Sequence, residues 1–397
     1  MASLLALVAL VASMFMAFTV GANSNSAPIA PAVGANALST LRGALLVGIV
    51  AGLGAISQGG SISETIGHGL VTGVTITPLA AAATLLTAAT LITIGNSRGY
   101  PIPSAFTVTG AAVGAGVALG GGFAVGTYLN ILGFWFAIPI VEGVLAYALA
   151  RVLIGDRVPD HVTVPVLAGG VGYALAMIRL SVLPAPQGAR ATVAGVVARH
   201  LPAGVVPTTA LGVAGAIAVV LAGAMYWQLR RDVTTGIHRL LVGLALAVLF
   251  TSGGSQVGLA TGPLEPVFES ALDLPAIYLL VLGGVGILVG GWVRSPRLIQ
   301  AVAREYASLG PKRSIAAFIP AFLTAQAAIM FGYPISFNKV MISSIIGAGL
   351  VGGAADTGGV SVTKTGYTVA AWVGSMVGGA VLSFGLYRLL AAIPGLQ

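Results

Sequence analysis

A break in the first apolar run constrains this chain more than any other feature. Residues 1–20 are apolar enough to cross a membrane, but the run is interrupted by Gly21-Ala-Asn-Ser-Asn-Ser-Ala-Pro-Ile-Ala-Pro31. Small residues, amides, hydroxyls and two prolines do not continue a lipid-facing helix, and irregular backbone at membrane depth occurs only where protein or a water-filled cavity covers it. We therefore interpret residues 21–39 as a binding segment, folded as a re-entrant hairpin.

The same pattern returns in the second half of the chain. Phe18-Thr19-Val20-Gly21 is echoed by Phe250-Thr251-Ser252-Gly253, at an offset of 232 residues. A second pair of breaks begins with Pro101-Ile102 and with Pro334-Ile335, at an offset of 233. Duplicated and broken hydrophobic segments are typical of secondary transporters that bind their substrate near the bilayer midplane.

Composition places the chain in a membrane. It is 57% hydrophobic and 7% charged, whereas soluble domains carry about 25% charged residues. Its mean hydropathy is +1.01. We predict an all-α polytopic membrane protein made of two inverted-topology repeats, residues 1–154 and 239–397, with broken helices and re-entrant hairpins. Residues 155–238 connect the repeats and contain additional apolar segments.

The charges of the loops predict orientation, because Lys and Arg accumulate in cytoplasmic loops. Residues 57–73 contain no Lys or Arg, whereas the equivalent connection with its extension, residues 289–313, contains five. Equivalent loops therefore lie on opposite sides of the membrane. Arg230, Arg231 and Arg239 place the start of the second repeat inside, so we expect a multi-pass protein of the cell membrane with its N-terminus outside.

Polar side chains recur at the breaks. An oxyanion needs hydrogen-bond donors and a positive field, and the N-termini of half-helices supply both. For any single polar residue, the alternative role is to cap broken backbone, but recurrence at repeat-equivalent positions favours a binding site for the set. The candidate substrate-binding residues are Asn23, Ser24, Asn25, Ser104, Thr107, Ser255, Gln256, Ser336, Asn338 and Lys339.

Two charged residues stand apart from the neutral donors. Lys339 lies in a predicted hairpin, where an intramembrane charge costs roughly 3 kcal/mol or more. We hypothesise that it supplies a fixed positive charge to the anion; the alternative is a lysine that snorkels to water. Glu142 follows Pro139 in an apolar span and is the candidate for the coupling ion, because a proton-coupled carrier needs a titratable group. Its alternative is a structural, hydrogen-bonded carboxyl.

These segments resemble a known family. The inorganic phosphate transporter (PiT) family carries a Gly-Ala-Asn-Asp-x-Ala-Asn-Ala signature once in each inverted half. Here Gly21-Ala22-Asn23 begins the first copy, and Phe250 with Gly253 frames the second. Ser63-Glu64-Thr65-Ile66 and the Pro-Ile breaks are also similar to family segments, so the resemblance covers nearly the whole chain.

The resemblance implies alternating-access transport of inorganic phosphate or a related oxyanion, coupled to an ion, by a protein that forms a homodimer in the lipid membrane. The family's signature Asp is replaced by Ser24 and Gln256, as in a divergent branch similar to the sulfate permeases. Phosphate or sulfate as substrate, and Na⁺, H⁺ or no ion as the coupling partner, therefore stay open. The sequence predicts no cofactor, metal, enzymatic activity or nucleic-acid partner, since it has four His, no Cys and no intramembrane acid pair.

Overall fold

The computed structural model describes residues 2–97, 102–155, 157–183, 191–201, 209–269, 274–305, 309–351 and 362–394. Pro101, which opens the second predicted break, lies outside these residues. The described chain is helical almost throughout. Its strands are four two-residue segments that form two antiparallel pairs.

The first half of the chain carries seven helices and one strand pair within the described residues. They are α1 (Ala2–Asn23), α2 (Ala30–Gly34), α3 (Thr40–Gln58), α4 (Gly60–His68), β1 (Val71–Thr72), α5 (Pro78–Ser97), α6 (Ser104–Ala118), β2 (Gly122–Phe123) and α7 (Val125–Ile154). A 3₁₀ turn, Ala27–Ile29, separates α1 from α2. Strand β1 pairs with β2, which places Val71 opposite Phe123.

A connecting region follows, and the second half then repeats the long helices. The connecting elements are α8 (Asp160–Ala176), β3 (Arg179–Leu180), β4 (Ala191–Thr192), α9 (Val193–His200) and α10 (Ala210–Arg231). The second half contains α11 (Val233–Thr261), α12 (Glu265–Val267), α13 (Ile277–Glu305), α14 (Pro311–Phe331), α15 (Phe337–Gly349) and α16 (Val362–Ala391). A 3₁₀ turn, Gly262–Leu264, precedes α12, and β3 pairs with β4.

Nine helical segments of the described chain are long and apolar enough to cross a membrane, which confirms the all-α polytopic class. Helices α6 and α15 are too short, at 15 and 13 residues. They span only about 20 Å at 1.5 Å per residue, against a hydrocarbon core of about 30 Å. Each packs on the helix before it, α5 or α14. The second and fourth breaks therefore form hairpins, as predicted.

The first break is a broken helix, and the predicted hairpin at residues 21–39 is wrong. The α-helix continues through Asn23, and helical backbone resumes at Ala27 and again at Ala30. Pro28 and Pro31 lie in the first turns of these new segments, where a helix needs no N–H donor. The prolines therefore restart the helix, and only residues 24–26 interrupt the span.

The echo at residues 250–253 also predicts a third break, over residues 253–266, but this break is shorter, because α11 continues through Thr261. The small residues that suggested a break serve close packing instead. A Cβ atom added to Gly253 would lie 1.8 Å from the carbonyl oxygen of Ala51, and one added to Gly54 would lie 1.8 Å from that of Phe250. Glycine at these positions lets α3 and α11 touch backbone to backbone, as is common in membrane helix pairs.

The helices of the two halves pack in matching pairs. Helix α1 packs on α5 and α13, whereas α11 packs on α14 and α3. Helix α6 packs on α16, and α15 packs on α7. The short helix α6 thereby also contacts α11 of the second half, and α15 contacts the 3₁₀ turn that follows α1 in the first half. Helix α13 also continues past Arg294 to Glu305, so the predicted basic connection begins as helix.

Candidate substrate-binding site

The polar residues predicted at the breaks are all buried, with at most 5% of any one side chain exposed. Asn23 ends α1, and Ser24 with Asn25 lies in the interruption that follows. Ser104 begins α6, and Ser336 precedes α15. The backbone thus carries polar groups from both halves into the interior.

An asparagine amide ties the first broken helix to both short helices. The Asn23 side chain donates from Nδ2 to the carbonyl oxygen of Ile102 at 3.0 Å, just before α6. Its Oδ1 accepts from Nδ2 of Asn338, in the first turn of α15, at 3.2 Å. One buried amide therefore joins its own half to the other.

Gln256 makes the equivalent bridge from the second half. Its Nε2 donates to the carbonyl oxygen of Ile335 at 2.8 Å, and its Oε1 accepts from Oγ of Ser104 at 2.8 Å. Since Ile102 and Ile335 are separated by the same 233 residues as Asn23 and Gln256, the two amides are counterparts. The offset of 232, which equated Gln256 with Ser24, is therefore wrong at this site.

Serine hydroxyls extend the Gln256 bridge into a polar network that lies beside the Asn23 bridge. Ser24 and Ser104 lie 3.0 Å apart between their Oγ atoms. Gln256 donates from Nε2 to Oγ of Ser255 at 3.2 Å, and that hydroxyl donates to the carbonyl oxygen of Ser252 at 3.1 Å. Six of the ten predicted residues thus form two hydrogen-bonded groups in the described chain: Asn23 with Asn338, and Ser24, Ser104, Gln256 and Ser255 together.

Three buried polar atoms of the predicted set lack a hydrogen-bond partner in the described chain. They are Nδ2 of Asn25, Oγ of Ser336 and Oδ1 of Asn338. Asn25 does use its Oδ1, which accepts from Oγ of Ser252 at 2.5 Å. An unpaired buried donor or acceptor costs about 1–3 kcal/mol. A bound group that both donates and accepts would satisfy these atoms.

The short helices add a positive field to this network. Neither α6 nor α15 has a side-chain cap at its start. Their first backbone N–H groups therefore point out of the helix ends, where the macrodipole attracts negative charge. The network itself is made of amides and hydroxyls. The site can accordingly hold an oxyanion through neutral donors and helix ends.

Thr107 and Lys339 form their hydrogen bonds outside the network, as their partners show. Thr107 donates its hydroxyl to the carbonyl oxygen of Pro103 at 3.0 Å, within its own first turn. Lys339 donates from Nζ to the carbonyl oxygen of Trp135 at 2.6 Å and lies over the rings of Phe106 and Trp372. The structure thus places this ammonium among aromatic side chains, without a hydrogen bond to either amide bridge, and its predicted role as a fixed positive charge stays a prediction.

Glu142 is fully buried in α7 and faces the second short helix. One carboxyl oxygen accepts a hydrogen bond from Oγ of Ser344 on α15, and the other has no partner in the described chain. Ser344 follows Asn338 by six residues, which is about 9 Å along a helix. The carboxyl is therefore attached to the helix that carries one amide bridge.

A second chain of polar side chains lies in the interior and was not predicted from sequence. Gln58 donates to Oε1 of Gln326 at 3.3 Å, and Gln326 donates to the hydroxyl of Thr251 at 2.8 Å. Both glutamines line a cavity of about 280 Å³ that Arg179 also lines. Gln326 carries a usable signal, because an amide within an apolar span is costly unless it is paired or functional.

A family comparison now accounts for this architecture. The model of the phosphate transporter family matches residues 20–383, which include both amide bridges and both hairpins. The chain belongs to the phosphate transporter family. It is therefore a multi-pass membrane transporter and not an enzyme, as the sequence predicted.

Individual relatives agree with this membership in the phosphate transporter family. A candidate phosphate permease of Haemophilus influenzae is 23% identical over 411 residues, which cover 96% of this chain and 95% of that protein. Sodium-dependent phosphate transporter 1-B of Danio rerio is 33% identical over 107 residues, 25% of this chain and 16% of that protein. A solved sodium-dependent phosphate transporter superposes with a TM-score of 0.83, covers 98% of this chain and 99% of its own, and is 22% identical, which shows a shared fold.

Proposed function

We propose that this transporter moves inorganic phosphate by alternating access, with the anion held between the starts of α6 and α15. The pair of amide bridges carries the proposal. Asn23 and Gln256 each connect one short helix of their own half to the opposite half. Relative motion of two inverted repeats, residues 1–154 and 239–397, would break one end of each bridge, and bound phosphate would replace the lost partners.

The unpaired atoms favour phosphate over sulfate. Phosphate retains an O–H group at neutral pH, so it both donates and accepts hydrogen bonds, whereas sulfate only accepts. Nδ2 of Asn25 is an unpaired donor and Oδ1 of Asn338 is an unpaired acceptor. Sulfate would leave the Asn338 oxygen without a partner. A binding site discriminates strongly against a ligand that leaves one of its buried polar groups unpaired.

Glu142 is our candidate for coupling transport to protons. The described network offers amides and hydroxyls at the positions where the family signature has Asp, so it contains no carboxylate to balance the charge of a sodium ion. A buried carboxyl with one unpaired oxygen is better satisfied when it carries a proton, since the charged form is costly in the membrane interior. Its link to Ser344 on α15 connects proton binding to the helix that starts at the anion site.

Uptake by the purified protein in proteoliposomes tests the proposal. Labelled phosphate and sulfate are supplied separately, and proton and sodium gradients are imposed one at a time. We expect phosphate accumulation driven by a proton gradient, no added drive from sodium at fixed pH, and sulfate uptake at least about tenfold slower. Uptake no faster than in empty liposomes would overturn transport. Equal or faster sulfate uptake would favour the sulfate alternative, and sodium-driven uptake would refute proton coupling.

We predict that Glu142→Gln abolishes proton-driven accumulation and flattens the pH dependence of uptake. Phosphate exchange across the membrane should persist, because glutamine keeps the shape and the hydrogen bond to Ser344 but cannot release a proton. Glu64→Gln is the matched control, since Glu64 is exposed on α4. An unchanged pH profile in the Glu142 variant would remove this carboxyl from the mechanism.

The location in the cell membrane, the side on which the N-terminus lies and the oligomeric state stay predictions. The positive-inside pattern still indicates a cell-membrane protein with its N-terminus outside, and the family resemblance still implies a homodimer in lipid. The chain has no native cysteine. A membrane-impermeant label on single introduced cysteines would therefore test the orientation, and the mass of the purified protein would test the dimer.

A further inference from the structure

A large apolar cavity lies beside the candidate phosphate site. Its volume is about 750 Å³, and residues of α6, α7, α15 and α16 line it. The lining is aliphatic and aromatic apart from Lys339, Ser343 and the hydroxyl of Tyr147. This volume lies within the range of about 300–1,000 Å³ that is usual for sites of small organic ligands.

Among the described residues that line the cavity, Lys339 is the one that carries a charge. Only 5% of the side chain is exposed, and the ammonium lies 5.1 Å from the ring centre of Phe106 and 4.6 Å from that of Trp372. Of its three N–H donors, one is used by the carbonyl oxygen of Trp135. Within the described residues no ion pair joins Lys339 to a carboxylate, and a buried cation without a negative partner is costly in an apolar interior.

The cavity opens toward the lipid-facing surface. Phe136 and Val144 on α7, Leu350 after α15 and Val373 on α16 line it and are also exposed. Helices α7 and α16 both carry candidate membrane spans, so these exposed apolar side chains meet hydrocarbon. A ligand would therefore enter from the bilayer. This route selects amphiphilic molecules and excludes a free inorganic anion.

We propose that this cavity binds a single-chain amphiphilic anion, a long-chain carboxylate, with its head on Lys339 and its chain between α7 and α16. The carboxylate would supply the missing negative partner and accept charge-assisted hydrogen bonds from the ammonium. The chain would cover the apolar walls. An occupant would touch both short helices, through Phe106 on α6 and Ile342 on α15.

Binding of the fluorescent fatty acid cis-parinaric acid to the purified full-length protein in detergent tests this proposal. Its methyl ester is the uncharged comparison, and empty micelles give the background. We expect saturable binding of one acid per protein and at least about tenfold weaker binding of the ester, since a charge-assisted hydrogen bond is lost. Equal binding of acid and ester would overturn the role of Lys339. This comparison needs no variant, so it holds even where a substitution impairs folding.

Two substitutions then locate the site. Lys339→Met should reduce the affinity for the acid about tenfold or more and remove the difference between acid and ester. Lys312→Met is the matched control, because Lys312 pairs with Asp160 at 2.7 Å away from this cavity. Val373→Phe should narrow the entrance and weaken acid and ester alike. Unchanged binding in both the Lys339 and the Val373 variants would refute the site, whatever the result of phosphate uptake.

Discussion

Replacement of Gln256 by leucine should lower phosphate uptake by about 100-fold or more while the protein still folds. Leucine fills a similar volume, but it leaves the carbonyl oxygen of Ile335 without its amide donor and removes one of the two partners of the Ser104 hydroxyl. Both groups are at the starts of the short helices. A displacement of about 1 Å at a binding site can reduce a rate about 100-fold, and the loss of Gln256 releases both helix starts at once.

The measurement is the initial rate of labelled phosphate uptake in proteoliposomes, normalised to the amount of monodisperse protein. Gln300→Leu is the matched control, because Gln300 is exposed on α13. Asn23→Leu should give a comparable loss, since Asn23 makes the equivalent bridge. Gln256→Asn should recover part of the rate, because the shorter amide keeps a donor and an acceptor. Uptake by the Gln256→Leu protein within threefold of the unaltered protein would show that the bridge does not organise the site.

The overall class and the two hairpins could be predicted from sequence. Composition alone determines that the chain lies in a membrane, and Pro334-Ile335 marks a point where a helix must stop before α15 begins. The burial of the polar residues at the breaks could also be predicted from sequence, since polar groups in a membrane protein face its interior.

The register of the amide pair could not be read from sequence. Matching Phe18-Thr19 to Phe250-Thr251 gives an offset of 232, yet the bonds to Ile102 and Ile335 make Asn23 and Gln256 equivalent, at an offset of 233. The reason is that similarity of apolar residues reflects packing, whereas the bridge depends on which side chain reaches a carbonyl in space. Small residues misled the assignment of the third break in the same way, because glycine serves both breaks and close helix contact.

The direction in which the Lys339 side chain points could not be predicted from sequence either. Asn338 and Lys339 are neighbours, but successive residues of a helix point about 100° apart. Asn338 consequently reaches Asn23, whereas Lys339 reaches Trp135 and its aromatic neighbours. The sequence shows where the break and Lys339 lie along the chain. The rotation of α15 about its axis determines which cavity the Lys339 ammonium enters.

Gly253→Ala should destabilise the protein by at least about 3 kcal/mol, because overpacking costs typically 1–3 kcal/mol even where side chains can adjust. Here the added Cβ atom would lie 1.8 Å from the carbonyl oxygen of Ala51, and backbone cannot rotate away as a side chain does. Helices α3 and α11 must separate. Thermal unfolding in detergent measures the effect, as a fall in the unfolding midpoint or a loss of monodisperse protein.

Gly243→Ala on the same helix is the matched control, since a Cβ atom there meets nothing within 4 Å and alanine is the better helix former. Gly54→Ala should be as harmful as Gly253→Ala, because it meets the carbonyl oxygen of Phe250 at the same crossing. The double variant should cost less than the sum, since the first substitution already separates the helices. Equal midpoints for the Gly253 and Gly243 variants would show that this crossing is not closely packed. Because Gln256 follows Gly253 by one helical turn, any folded Gly253 variant should also transport phosphate more slowly.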